Sequence, residues 1–180
     1  KAGDTYQVSH DVSIEMIRTQ QSIIDAVFPA VHTPRGAILY ACDFKLDRTP
    51  TLGEPPAFDR LRELGKEGVV AMIAESTNAT RAGKTPSERI AHDMVRDVLL
   101  GTEESDVGMI ITTFASHIAR LNSIMQFATE MKRTPILLGR SMDRYVNTAR
   151  ELGYIELPKK TEIYGNRKDI DKAFKKIMDK

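Results

Sequence analysis

A chain of 180 residues is long enough for one large domain or two small ones. Its hydrophobic and charged fractions, 41% and 28%, are those of an ordinary globular protein, and a net charge of +1 excludes a chain that binds polyanions along its whole length. One cysteine, Cys42, excludes an internal disulfide framework and fits a reducing, cytoplasmic setting, while no apolar stretch approaches the length of a membrane span.

The chain opens "KAGDTYQVSH", without Met and without a signal-peptide pattern, which reads as a processed or excised piece of something longer. "VSIEMIRT" (12–19) partly alternates apolar and polar residues and predicts a half-buried strand. "AVFPAVHT" and "GAILYACDF" are apolar runs joined by "TPRG", the signature of a hairpin. The second run stops at Asp43, with Lys45 and Asp47 close behind. A carboxylate at the end of a buried strand is costly unless something pairs with it, so Asp43 is either a satisfied structural acid or part of a chemical site. In "PPAFDRLRELGKEG", Phe58, Leu61 and Leu64 recur at helical spacing and Gly65 supplies a stop. "VVAMIA" (69–74) predicts another buried strand, ending at Glu75.

Beyond a boundary expected in "TNATRAGKT" (77–85), strand and helix alternate. "KTPSERIAHDMVRDVLLG" offers Thr85 as N-cap, Pro86 at the first helical position and Glu88 to complete a capping box. Ile90, Ala91, Met94, Val95, Val98 and Leu99 would form its apolar face. "VGMIITTF" (107–114) predicts a strand. "ASHIARLNSIMQFATEM" predicts a helix with Ile118, Leu121, Ile124, Met125 and Ala128 on one side. "TPILLG" predicts a strand, "SMDRYVNTARELG" a helix closed by Gly153, and "RKDIDKAFKKIMD" a last helix. This alternation argues for a mainly parallel, doubly wound α/β sheet. From Leu157 to Lys180, eight Lys/Arg face four Asp/Glu, so that end is either a nucleic-acid face or a solvated helix.

Two strands thus end in acids, Asp43 and Glu75, at the sheet end where ligands gather in α/β proteins. Each is a candidate metal ligand or histidine partner, or else caps the following turn or pairs with a nearby Lys or Arg. None of His10, His32, His92 and His117 has zinc-motif spacing. His32 reads as structural and His92 as exposed. In "TTFASHIARL", Ser116 and His117 stand where a strand turns into a helix, an arrangement that attracts phosphate, although Ser116 also suits a plain N-cap. "LLGRSMD" repeats it with Arg140 and Ser141, where Arg140 either forks onto a phosphate or pairs with Asp143. There is no Walker loop and no GxGxxG, which disfavours a nucleotide-binding module.

Taken in order, "HTPRGAILYACDFKLDRTP", "ELGKEGV", "ESTNA", "TPSER", "TTFASHIARLNSI" and "LLGRSMDR" resemble ribonuclease J, most closely in archaeal forms. That family is in the β-CASP branch of the metallo-β-lactamase superfamily. The resemblance covers roughly residues 14–155 and implies the middle portion of such a chain. Residues 1–80 would be part of an αββα metallo-β-lactamase sandwich, and residues 81–180 part of a Rossmann-like β-CASP domain that closes over RNA. The implied activity is a two-zinc ribonuclease degrading 5′-monophosphorylated RNA from its 5′ end, sometimes cutting internally, as a homodimer.

Under this resemblance Asp43 bridges the metals, and Glu75, the first β-CASP motif acid, orients the site. Ser116, His117, Ile118, Arg140 and Ser141 contact substrate. His117 stands where the family often has Asn. An HxHxDH motif is absent, and "RTQQSII" puts Gln21 at an expected histidine ligand. An amide oxygen is a weak, neutral donor compared with imidazole. The expectation is therefore that this piece holds no stable pair of zinc ions and leaves Asp43 to Lys45 or water. A non-catalytic RNA-binding relative is the alternative reading.

Overall fold

The computed structural model describes residues 1–101 and 108–178, with side chains as far as residue 175. The chain divides into two compact units, Lys1–Ser87 and Glu88–Lys180.

The first unit is a five-stranded sheet in the order β1 (Thr5–Ser9), β2 (Val12–Arg18), β3 (Val27–Thr33), β4 (Gly36–Ala41) and β5 (Val69–Ala74). The first four strands pair antiparallel, and β5 joins β4 in parallel after helix α1 (Phe58–Glu67). Pairing of Thr33 with Gly36 makes Pro34–Arg35 the hairpin turn. Side chains alternate across a strand, so Ala37, Leu39 and Ala41 share one face. They form the core with Ile17, Phe28, Ala30 and Leu64 of α1. On β2, Glu15 accepts hydrogen bonds from Arg60 Nε (2.6 Å) and Nη2 (2.9 Å) and pairs with His32 Nε2 (2.8 Å). His32 is thus structural, as its place before the hairpin suggests.

Two expectations fail in this unit. The helix runs through Gly65 and ends at Gly68, whose φ of 113° is open to glycine alone at little cost. Strand β5 is exposed at all six positions instead of buried: it lies at the sheet edge, and among the described residues only β4 pairs with it.

The second unit contains α2 (Glu88–Leu100), α3 (Ile118–Glu130), β6 (Ile136–Leu138), α4 (Arg140–Glu151), β7 (Glu162–Tyr164) and α5 (Arg167–Met178). Strands β6 and β7 pair in parallel, and each feeds directly into a helix. Helix α3 buries Ile118, Leu121, Ser123, Met125 and Phe127.

The doubly wound sheet is reduced here to these two strands. Residues 108–114 form no strand, since a strand needs a partner and none pairs with them among the described residues; Val107 lies outside those residues. Helix α2 starts at Glu88 instead of Pro86 and leaves Ile90, Met94 and Val98 exposed. His92 is not exposed: Nδ1 meets Ser123 Oγ at 2.9 Å, and the ring packs on Phe127.

Candidate functional site

In the first unit the strand directions bring three candidate residues to one sheet edge. Strand β2 is antiparallel to β3, and β3 to β4, so β2 runs with β4 and with β5. Their carboxyl ends therefore lie together. Gln21 follows β2, Asp43 follows β4 and Glu75 follows β5. Two backbone hydrogen bonds tie the three ends: Lys45 N–H to Gln20 O (2.7 Å) and Glu75 N–H to Ala41 O (3.3 Å).

The three side chains differ in state. Asp43 is exposed, and no partner among the described residues engages it. Lys45 lies instead 3.7 Å from the buried Asp47, which also accepts from Thr49 N–H (3.0 Å). Glu75 accepts the Thr77 N–H at 2.6 Å, and the Thr77 hydroxyl and N–H hold its carboxyl below the ordinary range. It caps its own turn. The Gln21 amide oxygen accepts from Ser22 N–H and hydroxyl.

As a zinc site this donor set is deficient. It offers one open carboxylate and a neutral amide oxygen already turned onto Ser22. Among the described residues no three His, Cys, Asp or Glu side chains gather where they could hold a metal. Two zinc ions do not fit these residues alone.

In the second unit the turn Ala115–His117 leads into α3, and His117 is the N-cap residue, not Ser116. Its ring does not cap the helix. It points to Glu88, with Nε2 3.3 Å from Oε2. Arg120, one turn along α3, grips the same carboxylate through Nε to Oε1 (3.0 Å) and Nη2 to Oε2 (2.7 Å). Glu88 is only 4% exposed. Burial pushes its carboxyl upward, but hydrogen bonds from His117 and Arg120 outweigh this and hold it at about 2. The sequence marks Glu88 only as a capping residue. Its partners lie 29 and 32 positions away, and no local spacing announces them.

Ile118 is 3% exposed, and its N–H bonds to Ser116 O at 2.9 Å. Its side chain thus belongs to the core of this unit. Arg140 and Ser141 stand exposed at the start of α4, after Gly139 at φ 118°. Asp143 does not neutralise Arg140: it accepts from Asn147 Nδ2 at 2.6 Å.

Residues 106–176 match the family model "Ribonuclease J, beta-CASP domain". Ribonuclease J of Methanocaldococcus jannaschii is 42% identical over 177 residues, 98% of this chain and 40% of that protein. Ribonuclease J of Pyrococcus abyssi is 41% identical over 97% of this chain and 39% of its own length. That of Helicobacter pylori strain J99 is 37% identical over 85% of this chain and 22% of its own length. The chain thus spans about 40% of the length of the first two relatives. A crystal structure of a protein of unknown function from Enterococcus faecalis V583 shares the fold, with a TM-score of 0.60 at 15% identity, covering 93% of this chain and 37% of the other. The chain is a ribonuclease J-like segment of mixed α/β structure, and it carries a β-CASP domain of the metallo-β-lactamase superfamily.

Proposed function

We propose that this chain is part of a metal-dependent ribonuclease that processes and degrades RNA from 5′-monophosphorylated ends. The observation that carries the reading is the convergence of Gln21, Asp43 and Glu75 on one sheet edge, in a chain 42% identical to a protein named ribonuclease J. The first unit supplies an open carboxylate, Asp43, to that edge. In the second unit, Ser116, His117, Arg140 and Ser141 bind the RNA backbone. Arg140 is suited to this because a guanidinium presents donors in a fork that matches phosphate oxygens. A metal ion at this edge would have Asp43 as its carboxylate ligand and would supply an activated water.

A second reading is a non-catalytic RNA-binding relative. The Gln21 amide, turned onto Ser22 at an expected imidazole position, favours it.

The deciding experiment compares intact protein bearing Gln21 with Gln21→His, measuring zinc content and decay of 5′-monophosphorylated RNA. The enzymatic reading expects histidine to raise the zinc stoichiometry and the decay rate together, and Asp43→Ala to abolish both. If Gln21→His changes neither, the metal edge is misplaced. If both forms bind RNA without zinc or decay, the binding relative is the correct reading.

A further inference from the structure

We infer that Glu88 is a positioning residue for the turn Ala115–His117: from helix α2 its buried carboxylate holds the His117 ring and the Arg120 guanidinium, and so fixes the turn where α3 begins. The inference rests on the reading of Ser116 and His117 as an RNA contact.

The turn spans three residues immediately ahead of α3. Its backbone bonds are local: His117 N–H to Phe114 O (3.0 Å), Ile118 N–H to Ser116 O (2.9 Å) and Leu121 N–H to His117 O (3.0 Å). Upstream, residues 108–114 form no strand, and Phe114 is 80% exposed. Glu88 bridges this gap from another helix. Its two oxygens take the Arg120 fork, and Oε2 also meets His117 Nε2. Both residues that flank Ile118–Ala119 are thereby anchored to one atom group.

The His117 ring carries a second sign of imposed placement. Its Nδ1 is buried and finds no hydrogen-bond partner among the described residues. An unpaired buried ring nitrogen is unfavourable. Packing alone would not choose this orientation, and the attraction of Nε2 to an ionised Glu88 accounts for it. Glu88 thus decides which ring nitrogen is engaged and where the adjacent Ser116 hydroxyl stands. It acts through His117 and touches no RNA itself.

The test is a double-mutant cycle on the intact protein. The probe is a 5′-phosphorylated, fluorescein-labelled single-stranded RNA, followed by fluorescence anisotropy in EDTA so that no cleavage intervenes. His117→Ala is expected to weaken binding about tenfold, and Glu88→Gln likewise, while the double variant binds within about twofold of His117→Ala alone. Glu88→Asp keeps the charge but shortens the reach, and should recover part of the loss. If Glu88→Gln does not fold, Glu88→Asp takes its place in the cycle with the same expected non-additivity.

Losses that multiply in the double variant would mean that Glu88 only braces α2 against α3, and would overturn the inference. So would wild-type affinity in a folded Glu88→Gln while His117→Ala is impaired. If His117→Ala and Ser116→Ala both bind RNA like wild type, the turn is no RNA contact, and the functional reading of this unit falls together with the inference.

Discussion

Folding removes nearly all water from the Glu88 carboxylate, and the Arg120 guanidinium and the His117 ring stand against it in place of water. Removing a carboxylate from water costs energy, yet its pKa falls to about 2, so the partners stabilise the charged form by more than burial penalises it. The folded value lies below the unfolded 4.5, so the stabilisation is complete above about pH 4.5 and is lost as pH falls toward 2. A shift of this size corresponds to roughly 3 kcal/mol. Hydrogen exchange of α3 amides should therefore show wild type losing stability across that range, with Glu88→Gln already destabilised at pH 7 and nearly flat below it. A gap between the two proteins that stays constant from pH 7 to pH 3 would refute the assignment. Glu15 follows the same sign. Hydrogen bonds from Arg60, and then His32, lower its carboxyl despite burial. Neither network was legible in the sequence, because each joins residues far apart in the chain. Asp43 and Glu75 were legible because each ends an apolar run, a local signal. What the pattern could not convey is that Glu75 is occupied by Thr77 while Asp43 is open.

At the scale of elements, glycine position separates a true stop from a tolerated residue. Gly65 lies inside α1, exposed, and an added Cβ would meet nothing within 4 Å. Gly65→Ala should raise stability by about 0.5–1 kcal/mol, since alanine loses less backbone entropy in a helix. Gly36 is the opposite case. Its φ is 119°, and an added Cβ would stand 2.8 Å from Val70 Cγ1 and 3.2 Å from Gly68 O. Gly36→Ala combines left-handed strain with overpacking and should cost about 2–4 kcal/mol. Urea melts of the two variants check both signs: an unchanged or lowered midpoint for Gly65→Ala would mean that the helix truly weakens there. Strands β2, β3 and β4 were readable because alternation and the "TPRG" turn agree. Strand β1 was missed because "TYQVS" is short and lies where every residue is exposed. Strand β7, "EIY", has only three residues and depends on β6 for its existence. Residues 108–114 have a strand's composition, but a strand needs a partner, which no single run of residues reveals.

At the scale of the whole molecule, apolar surface is left open in ways that a self-sufficient domain avoids. Strand β5 reads Val-Val-Ala-Met-Ile-Ala, without a polar face. Such runs belong to parallel strands covered on both sides. Here Val69, Val70, Met72 and Ile73 are 37–58% exposed. Among the described residues the strand is also an unpaired sheet edge, whose outward N–H and C=O groups invite another chain. Natural edges are protected by charge, proline or bulges, and β5 has none of the first two. The 180-residue chain should therefore self-associate as its concentration rises and should bind a hydrophobic dye while folded. Sedimentation velocity from low to high micromolar concentration measures the first, and Val70→Lys with Met72→Lys locates it. Both side chains lie on one face of β5 and are already exposed, so the pair should suppress association while changing stability by no more than about 1 kcal/mol. Association that persists unchanged in the double lysine variant would exclude β5 as its cause. Suppression, with the melting transition retained, would identify this strand as the surface that the chain needs to have covered.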